Sequence, residues 1–276
     1  MPELPEVQTL CTGLRSAIAG KRVERVLLFR ENLRYPFPEH LAASLEGKII
    51  EDVQRRAKYI LMPCGSHQII AHLGMSGSFT IRHDALANRH KHDHMIWQME
   101  DGIDVVYHDP RRFGFVLLTH RDQWHTHPMI TSLGVEPLED ECSIVYMQQH
   151  MRNVTRPIKT WLMDAHIIVG IGNIYASETL FRARIHPNTP TYACINHAEM
   201  LRTCFRSVLN DALASGGSTL RNYKNALGTT GYFQHKFQVY GREGQACFTC
   251  NDTIQNITHA GRSTFFCPSC QAEPSS

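Results

Sequence analysis

The sequence predicts an α+β chain, and three patterns carry that prediction: an amphipathic helix at the start, a series of short β-rich segments, then helical periodicity running into a cysteine-bearing tail. At 276 residues the chain stands near the ~250–300 residue size at which single cores give way to several. Two compact units and a small appendage are expected.

Residues 6–19 place Val7, Leu10, Cys11, Leu14 and Ile18 on one face at spacings of three and four. Pro5 just ahead suits a first helical turn. From Val23 to Leu118 the pattern changes to runs such as VERVLLF, KIIEDVQ, KYILMP, QIIAHL, SFTIR, HMIWQM and GFVLL, broken by Gly, Asp and Pro. Many short strands at close spacing imply an antiparallel sandwich or barrel. The acidic, turn-rich stretch 131–141 reads as a linker. Behind it, SIVYMQQHM, IKTWLMDA, NIYASETLFRA and HAEMLRTCFRSVLNDALAS show helical periodicity. Residues 215–231, with Gly216, Gly217, Gly228 and Gly231, read as a long functional or disordered loop. No internal repeat is present.

Hydrophobic residues at 42% and charged residues at 20% supply enough burial to fold, which excludes a disordered or collagen-like chain. The net charge of +2 names no partner, but it is unevenly spread. Residues 1–150 hold 16 Lys/Arg against 19 Asp/Glu, while 151–276 hold 12 against 7, so the second half favours a polyanion. Glu3 and Glu6 replace the basic start of a secretory signal, and no apolar run approaches the ~18 residues that cross a membrane. A soluble, cytoplasmic chain with no membrane association is expected.

Nine cysteines is an odd number, and only four are regularly spaced. Cys247-x-x-Cys250 and Cys267-x-x-Cys270, 16 residues apart, match the paired knuckles of a four-thiolate zinc site. With no open coordination position, one Zn²⁺ there would be structural. So small a tail has too little core to fold without it. Cys11, Cys64, Cys142, Cys194 and Cys204 are expected as buried small hydrophobes. His90, His92 and His94 alternate, and on a strand would share one face; phosphate contact or plain surface histidine is preferred to a second metal. Gly170-x-Gly172 begins a dinucleotide fingerprint, but Tyr175 stands where its third glycine belongs, so that reading and its organic cofactor fall. The turn can still offer a helix N-terminus to an anion.

MPELPEV at the start, QRRAKY at 54–59, HLGMSG at 72–77, KHDH at 91–94, DPRRFG at 109–114, GNIYASE at 172–178 and VYGR at 239–242 occur in this order. With the cysteine quartet they resemble the formamidopyrimidine-DNA glycosylase family over nearly the whole chain. Its members are bacterial enzymes that excise oxidised purines and nick the abasic strand. The resemblance implies an N-terminal antiparallel β-sandwich with a leading helix (1–132), a helix–two-turn–helix DNA-binding domain with a lesion-capping loop (133–237) and a β-ribbon zinc finger (238–272). It also implies a monomer acting on double-stranded DNA that carries oxidised bases or abasic sites.

Roles follow residue by residue. With Met1 removed, Pro2 presents a secondary amine with a pKa of roughly 8, neutral often enough to attack a sugar C1′. Glu3 resembles the family's general acid and Glu6 orders the site, although acidic residues also suit a helix N-terminus. Lys58 corresponds to the lysine that assists β-elimination, and Arg262 to the arginine that assists δ-elimination. Met75, Arg111 and Phe113 would fill the gap left by an everted base; flanking Gly74, Gly77 and Gly114 favour exposed turns over a place in the core. Lys58, His72, Asn173 and Arg262 would clamp phosphates, with His92, Arg112 and Lys159 beside them. Backbone groups from Ser218 to Arg221 would recognise the purine, and Tyr240 would support the loop's hinge. Gln8, Thr160, Ala246 and Asn251 depart from the family's pattern; none is expected to touch the chemistry, and Asn251 tolerates a left-handed turn. The sister endonuclease VIII group, which prefers oxidised pyrimidines, is the nearest rival; Leu4 and the full wedge set favour the purine branch. A non-catalytic zinc-ribbon DNA-binding protein is the rival of another class.

Overall fold

The computed structural model describes residues 1–218 and 233–273. The expectations for Arg221 and for most of the Gly216–Phe233 loop lie outside the described residues. Two contact units emerge: residues 1–131 with 215–218, and residues 132–214 with 233–273.

In the first unit α1 spans Leu4–Ile18, opening two residues ahead of the periodic run because Glu6 Oε2 accepts the Glu3 N–H at 2.9 Å, closing half of a capping box. Gly20, at φ +82°, ends it. There follow β1 (Lys21–Leu28), α2 (Leu41–Leu45), β2 (Ile49–Ile50), β3 (Gln54–Arg56), β4 (Tyr59–Cys64), β5 (His67–His72), β6 (Ser78–Arg82), β7 (Asp93–Met99), β8 (Asp104–His108), β9 (Phe115–His120) and α3 (Pro128–Thr131). All strand pairs are antiparallel, in the order β6-β8-β7-β1-β2-β4-β5-β9, with β3 on β4.

Strand β1 belongs to both halves: Lys21 and Arg22 pair with β2, while Val23–Leu28 pairs with β7. The halves share one core, in which Ile60, Met62, Ile69 and Ala71 join Phe79, Met95, Trp97, Val105 and Tyr107. Into it α1 adds the five apolar residues of its predicted face. The strand order ends at β6 and β9, so the architecture is a sandwich and not a closed barrel.

In the second unit α4 (Ile144–Met151) starts on Ser143, whose hydroxyl accepts the Tyr146 N–H at 3.1 Å. Next come α5 (Ile158–Leu162), α6 (Asn173–Arg182) and α7 (Ala198–Ala214). Helix α5 is shorter than its periodic run because Asp164 accepts the His166 N–H at 3.0 Å and turns the chain. Met147, Trp161, Leu162, Tyr175, Leu201, Phe205 and Val208 form the core. The tail carries a hairpin of β10 (Gln255–His259) and β11 (Arg262–Phe266). Buried Gln271 fastens it, donating to Ile185 O at 2.8 Å while accepting the Cys267 N–H at 3.0 Å. Helices and tail form one contact unit, within which the tail has its own small apolar cluster of Val239, Cys247, Ile254 and Cys267 with Phe181 of α6.

Among the described residues no helix is long and apolar enough to cross a membrane. Gly114 opens β9 where β8 and β5 leave no room: a Cβ there would stand 1.8 Å from Tyr107 Oη and 2.6 Å from His72 O. Gly114→Ala should therefore destabilise the first unit by about 2–3 kcal/mol, read as a lowered urea midpoint at unchanged slope.

Candidate active site and metal centre

The first turn of α1 buries acidic groups at the chain's start. Pro2 is buried, and Glu3 and Glu6 are 3% and 2% exposed. Besides the Glu3 N–H, Glu6 accepts the Ser218 N–H at 2.8 Å and its hydroxyl at 2.9 Å, both on Oε1. Gly217, at φ +79°, permits that approach, since a Cβ there would already lie 3.2 Å from Glu6 Oε1. The α-amino group here belongs to Met1 and stands in for the Pro2 amine of a processed chain. Burial lowers its pKa, Glu3 and Glu6 pull it back up, and Lys58 and Arg111 push it down again; the net shift is downward.

Lys58 sits in the two-residue turn between β3 and β4. Ala57 precedes it at φ +55°, a left-handed conformation that a non-glycine adopts only when its surroundings over-determine it. Arg55 helps do so, donating from Nη1 to Ala57 O at 3.1 Å and from Nε to Gln8 Oε1 at 2.9 Å. Gln8 is thus hydrogen-bonded into the support of the lysine's turn, closer to the site than its sequence position suggested.

Beside these residues opens a cavity of about 720 Å³, lined by Met1, Leu33, Arg34, His72, Gly74, Met75, Arg111, Arg112 and Phe113. It falls within the usual range for ligand pockets. Met75 and Phe113 are 44% and 45% exposed, which removes the alternative that they are core residues. The Arg111 guanidinium lies over the Phe113 ring at 4.9 Å. Two loops present these side chains with their backbones in contact: a Cβ on Gly74 would fall 2.3 Å from the Phe113 carbonyl carbon. His72 accepts the Gly74 N–H on Nδ1 at 3.0 Å and stacks on Phe115 at 5.3 Å. Burial, with the Lys58 and Arg34 cations, pushes its pKa down to about 4. His72 is therefore a neutral donor at physiological pH. His92 lies outside this lining, in a turn against His94 and His108.

In the second unit Lys159 is fully buried. Its ammonium reaches Asn173 Oδ1 at 2.6 Å, Ser263 O at 3.1 Å and Thr264 Oγ1 at 2.5 Å. Asn173 Nδ2 also donates to Ser263 O, at 2.9 Å. Both residues read as phosphate contacts therefore grip the backbone beside Arg262, which is itself exposed at the start of β11. Tyr240 packs on Phe237 and Phe265, and its N–H, with those of Gln238 and Val239, goes to buried Glu178. Burial pushes the Glu178 carboxyl upward against those three donors.

Cys247, Cys250, Cys267 and Cys270 bring their sulfurs within 4.8 Å of one another. Two of the distances are 3.9 Å (Cys247–Cys270) and 3.4 Å (Cys250–Cys267). Four sulfurs at ~2.3 Å from a common ion stand about 3.8 Å apart, so the cluster fits a tetrahedral metal. Burial raises the Cys247 thiol, but N–H groups of Thr249 and Cys250 and neighbouring thiols outweigh it and bring the pKa to about 7. Burial and the neighbouring thiols push Cys270 up, and burial leads a rise at Cys267. Ionising all four calls for a cation in their midst. Asn251 takes the left-handed turn at φ +64°.

Family models for the formamidopyrimidine-DNA glycosylase N-terminal domain and H2TH domain match residues 1–116 and 133–224. A formamidopyrimidine-DNA glycosylase of Rhizobium etli is 42% identical over 98% of this chain and all of its own length. The chain belongs to the formamidopyrimidine-DNA glycosylase family. Among solved structures, a point mutant of the Lactococcus lactis Fpg in complex with Fapy-dG-containing DNA matches with a TM-score of 0.92 at 34% identity, covering 99% of this chain and all of that one. The same organism's Fpg bound to abasic-site DNA matches at 0.91 and 34%, covering 98% and 100%.

Within the family frame, the first matched domain contains Pro2, Glu3, Glu6, Lys58 and the cavity residues, and the second contains Lys159, Asn173 and Ser218. Tyr240, Arg262 and the cysteines lie beyond both. Arg34 and Leu33 line the cavity without having been singled out; their one sequence signal is the turn-rich ENLRYPFP stretch. Among the described residues, the histidine runs form no metal-binding group. Cys11, Cys64, Cys142 and Cys194 are buried, with pKa values pushed to about 12 and, for the last three, about 11; Cys204 is half-buried.

Two outcomes are expected. His72 should titrate by NMR with a midpoint near 4, so no ring protonation occurs between pH 5 and 8. Because the unfolded chain takes up that proton near 6.5, its contribution to stability is complete above that pH and declines as pH falls toward 4. Stripping metal with a chelator should unfold the 238–273 tail and lower the thermal midpoint of the second unit, with zinc restoring both in circular dichroism and calorimetry.

Proposed function

We propose that this chain repairs oxidised DNA, excising 8-oxoguanine and formamidopyrimidines from the duplex and then cutting the strand at the abasic site. One observation carries the reading: Pro2 and Glu3 are buried at the start of α1, and the α-amino group one residue ahead is held more readily neutral by partial burial and by the Lys58 and Arg111 cations, against the pull of Glu3 and Glu6.

With Met1 removed, the Pro2 nitrogen bonds to C1′ and the bond from C1′ to the damaged base breaks. The departing base takes the electron pair of that bond and the proton that Pro2 gives up, and Glu3 delivers a proton to the sugar ring oxygen as the ring opens. The resulting iminium draws electrons from C2′. Loss of a C2′ proton, assisted by Lys58, expels the 3′ phosphate; a second elimination, assisted by Arg262, expels the 5′ phosphate, and water frees Pro2. Glu6 keeps the helix start and Ser218 in register. Met75, Arg111 and Phe113 occupy the space vacated by the everted nucleotide, with Arg111 donating to the orphaned base.

His72, Asn173 and Arg262 hold phosphates. So do His92 and Arg112, more peripherally, whereas Lys159 acts through Asn173 and the strand beside Arg262. Backbone groups from Ser218 to Arg221 would recognise the purine, and Tyr240 would support the loop's hinge. Cys247, Cys250, Cys267 and Cys270 would hold one Zn²⁺, which supplies folding energy to the tail and no step of the reaction.

Borohydride trapping on 8-oxoguanine duplex should yield a covalent adduct whose peptide maps to Pro2, and Pro2→Gly, which replaces the secondary amine by a primary one, should lower its yield. Glu3→Gln should slow base excision by about 10²–10⁴-fold. Excision should lose rate as pH falls through the amine's pKa, since the protonated amine cannot attack. An adduct on another residue overturns the nucleophile, and no adduct at all favours a non-catalytic DNA-binding protein. Faster removal of thymine glycol than of 8-oxoguanine moves the chain to the endonuclease VIII branch.

A further inference from the structure

We propose that Asp109 and Ser76 are positioning residues that lock Met75, Arg111 and Phe113 into one rigid wedge. The inference rests on the wedge reading above and deepens it.

The three exposed side chains stand on separate loops: Met75 between β5 and β6, Arg111 and Phe113 between β8 and β9. Asp109, the first residue of the second loop, is wholly buried. Its Oδ1 accepts the Ser76 hydroxyl at 2.6 Å, and its Oδ2 accepts the Gly114 N–H at 2.9 Å. The same Ser76 hydroxyl oxygen accepts the Arg111 N–H at 3.0 Å. Each wedge residue is therefore next in sequence to, or itself makes, a bond of this cluster. Met75 precedes Ser76, Phe113 precedes Gly114, and Arg111 donates directly.

Asp109 is itself immobilised. Its N–H donates to His92 O at 3.0 Å, its carbonyl lies 2.9 Å from His94 Nε2, and the Arg112 N–H returns to that carbonyl at 3.3 Å. Arg112, at φ +59°, takes the left-handed turn that this bond closes. Burying a carboxylate in a loop is costly unless donors surround it. Here the donors come from both loops, so the cluster favours one relative placement of the two. Two loops held only by apolar contact could slide, and loss of sub-ångström placement lowers rate with little effect on ground-state binding.

Ser76→Ala removes the tie without touching the cavity-facing side chains, and Ser76→Thr keeps the hydroxyl. Steady-state excision of 8-oxoguanine from duplex should fall about tenfold in Ser76→Ala through kcat, with KM nearly unchanged. Fluorescence of 2-aminopurine beside the lesion should show slowed unstacking to the same degree. Cleavage of a single-stranded abasic oligonucleotide, which needs no eversion, should keep the parent rate. Ser76→Thr should restore all three readouts, and Asp109→Asn, which can accept from only one loop, should reproduce the Ser76→Ala pattern.

A parallel fall on both substrates, or unchanged unstacking in Ser76→Ala, overturns the positioning role. Met75→Ala and Phe113→Ala separate the two levels. If they leave unstacking untouched, the wedge reading itself fails; if they slow it while Ser76→Ala does not, only the positioning role fails.

Discussion

The carboxylate of Glu6 is the constraint on which the site depends. A chain terminus is ordinarily hydrated and frayed, whereas here one side chain in the first turn of α1 binds the backbone before it and Ser218, 212 residues away. Fixing the helix start fixes Pro2 and Glu3 with it. The five apolar residues of α1 then anchor that turn to the sandwich core, so the position of the terminal amine is set by buried packing.

The remaining parts are held by close backbone approach and by buried polar groups reaching out from regular strands. The lysine turn is backed by Arg55 and Gln8, the exposed loops meet where glycine leaves room, and Asn173 and Lys159 hold the strand that begins with Arg262. The side chains proposed to act on DNA thus stand on hydrogen-bonded or closely packed supports, as accurate placement of reacting groups demands.

Much of this was legible in the sequence because it is local. The apolar face of α1, the strand-rich stretch, the paired cysteines and the left-handed turn at Asn251 depend on neighbours a few residues apart, and the glycines around Met75 and Phe113 announced exposed turns. What was not legible has physical causes. His90 and His92 belong to the turn before β7, so only His94 lies on the strand and the alternation never forms a face. The burial of Lys159 was hidden because nothing nearby in sequence reveals acceptors at 263 and 264. The bond to Gln8 was hidden for the same reason, since its partner Arg55 is 47 positions on. Periodicity records which face is buried, not which distant residue closes a polar bond.

The burial of Lys159 has a consequence for how the molecule is made. Two acceptors of its ammonium are supplied by a strand synthesised more than a hundred residues later. A nascent polypeptide halted on the ribosome ahead of that strand carries this charge without them, and an ammonium deprived of acceptors resists leaving water. The helical half and the cysteine tail therefore mature together near the close of translation, as a single late event.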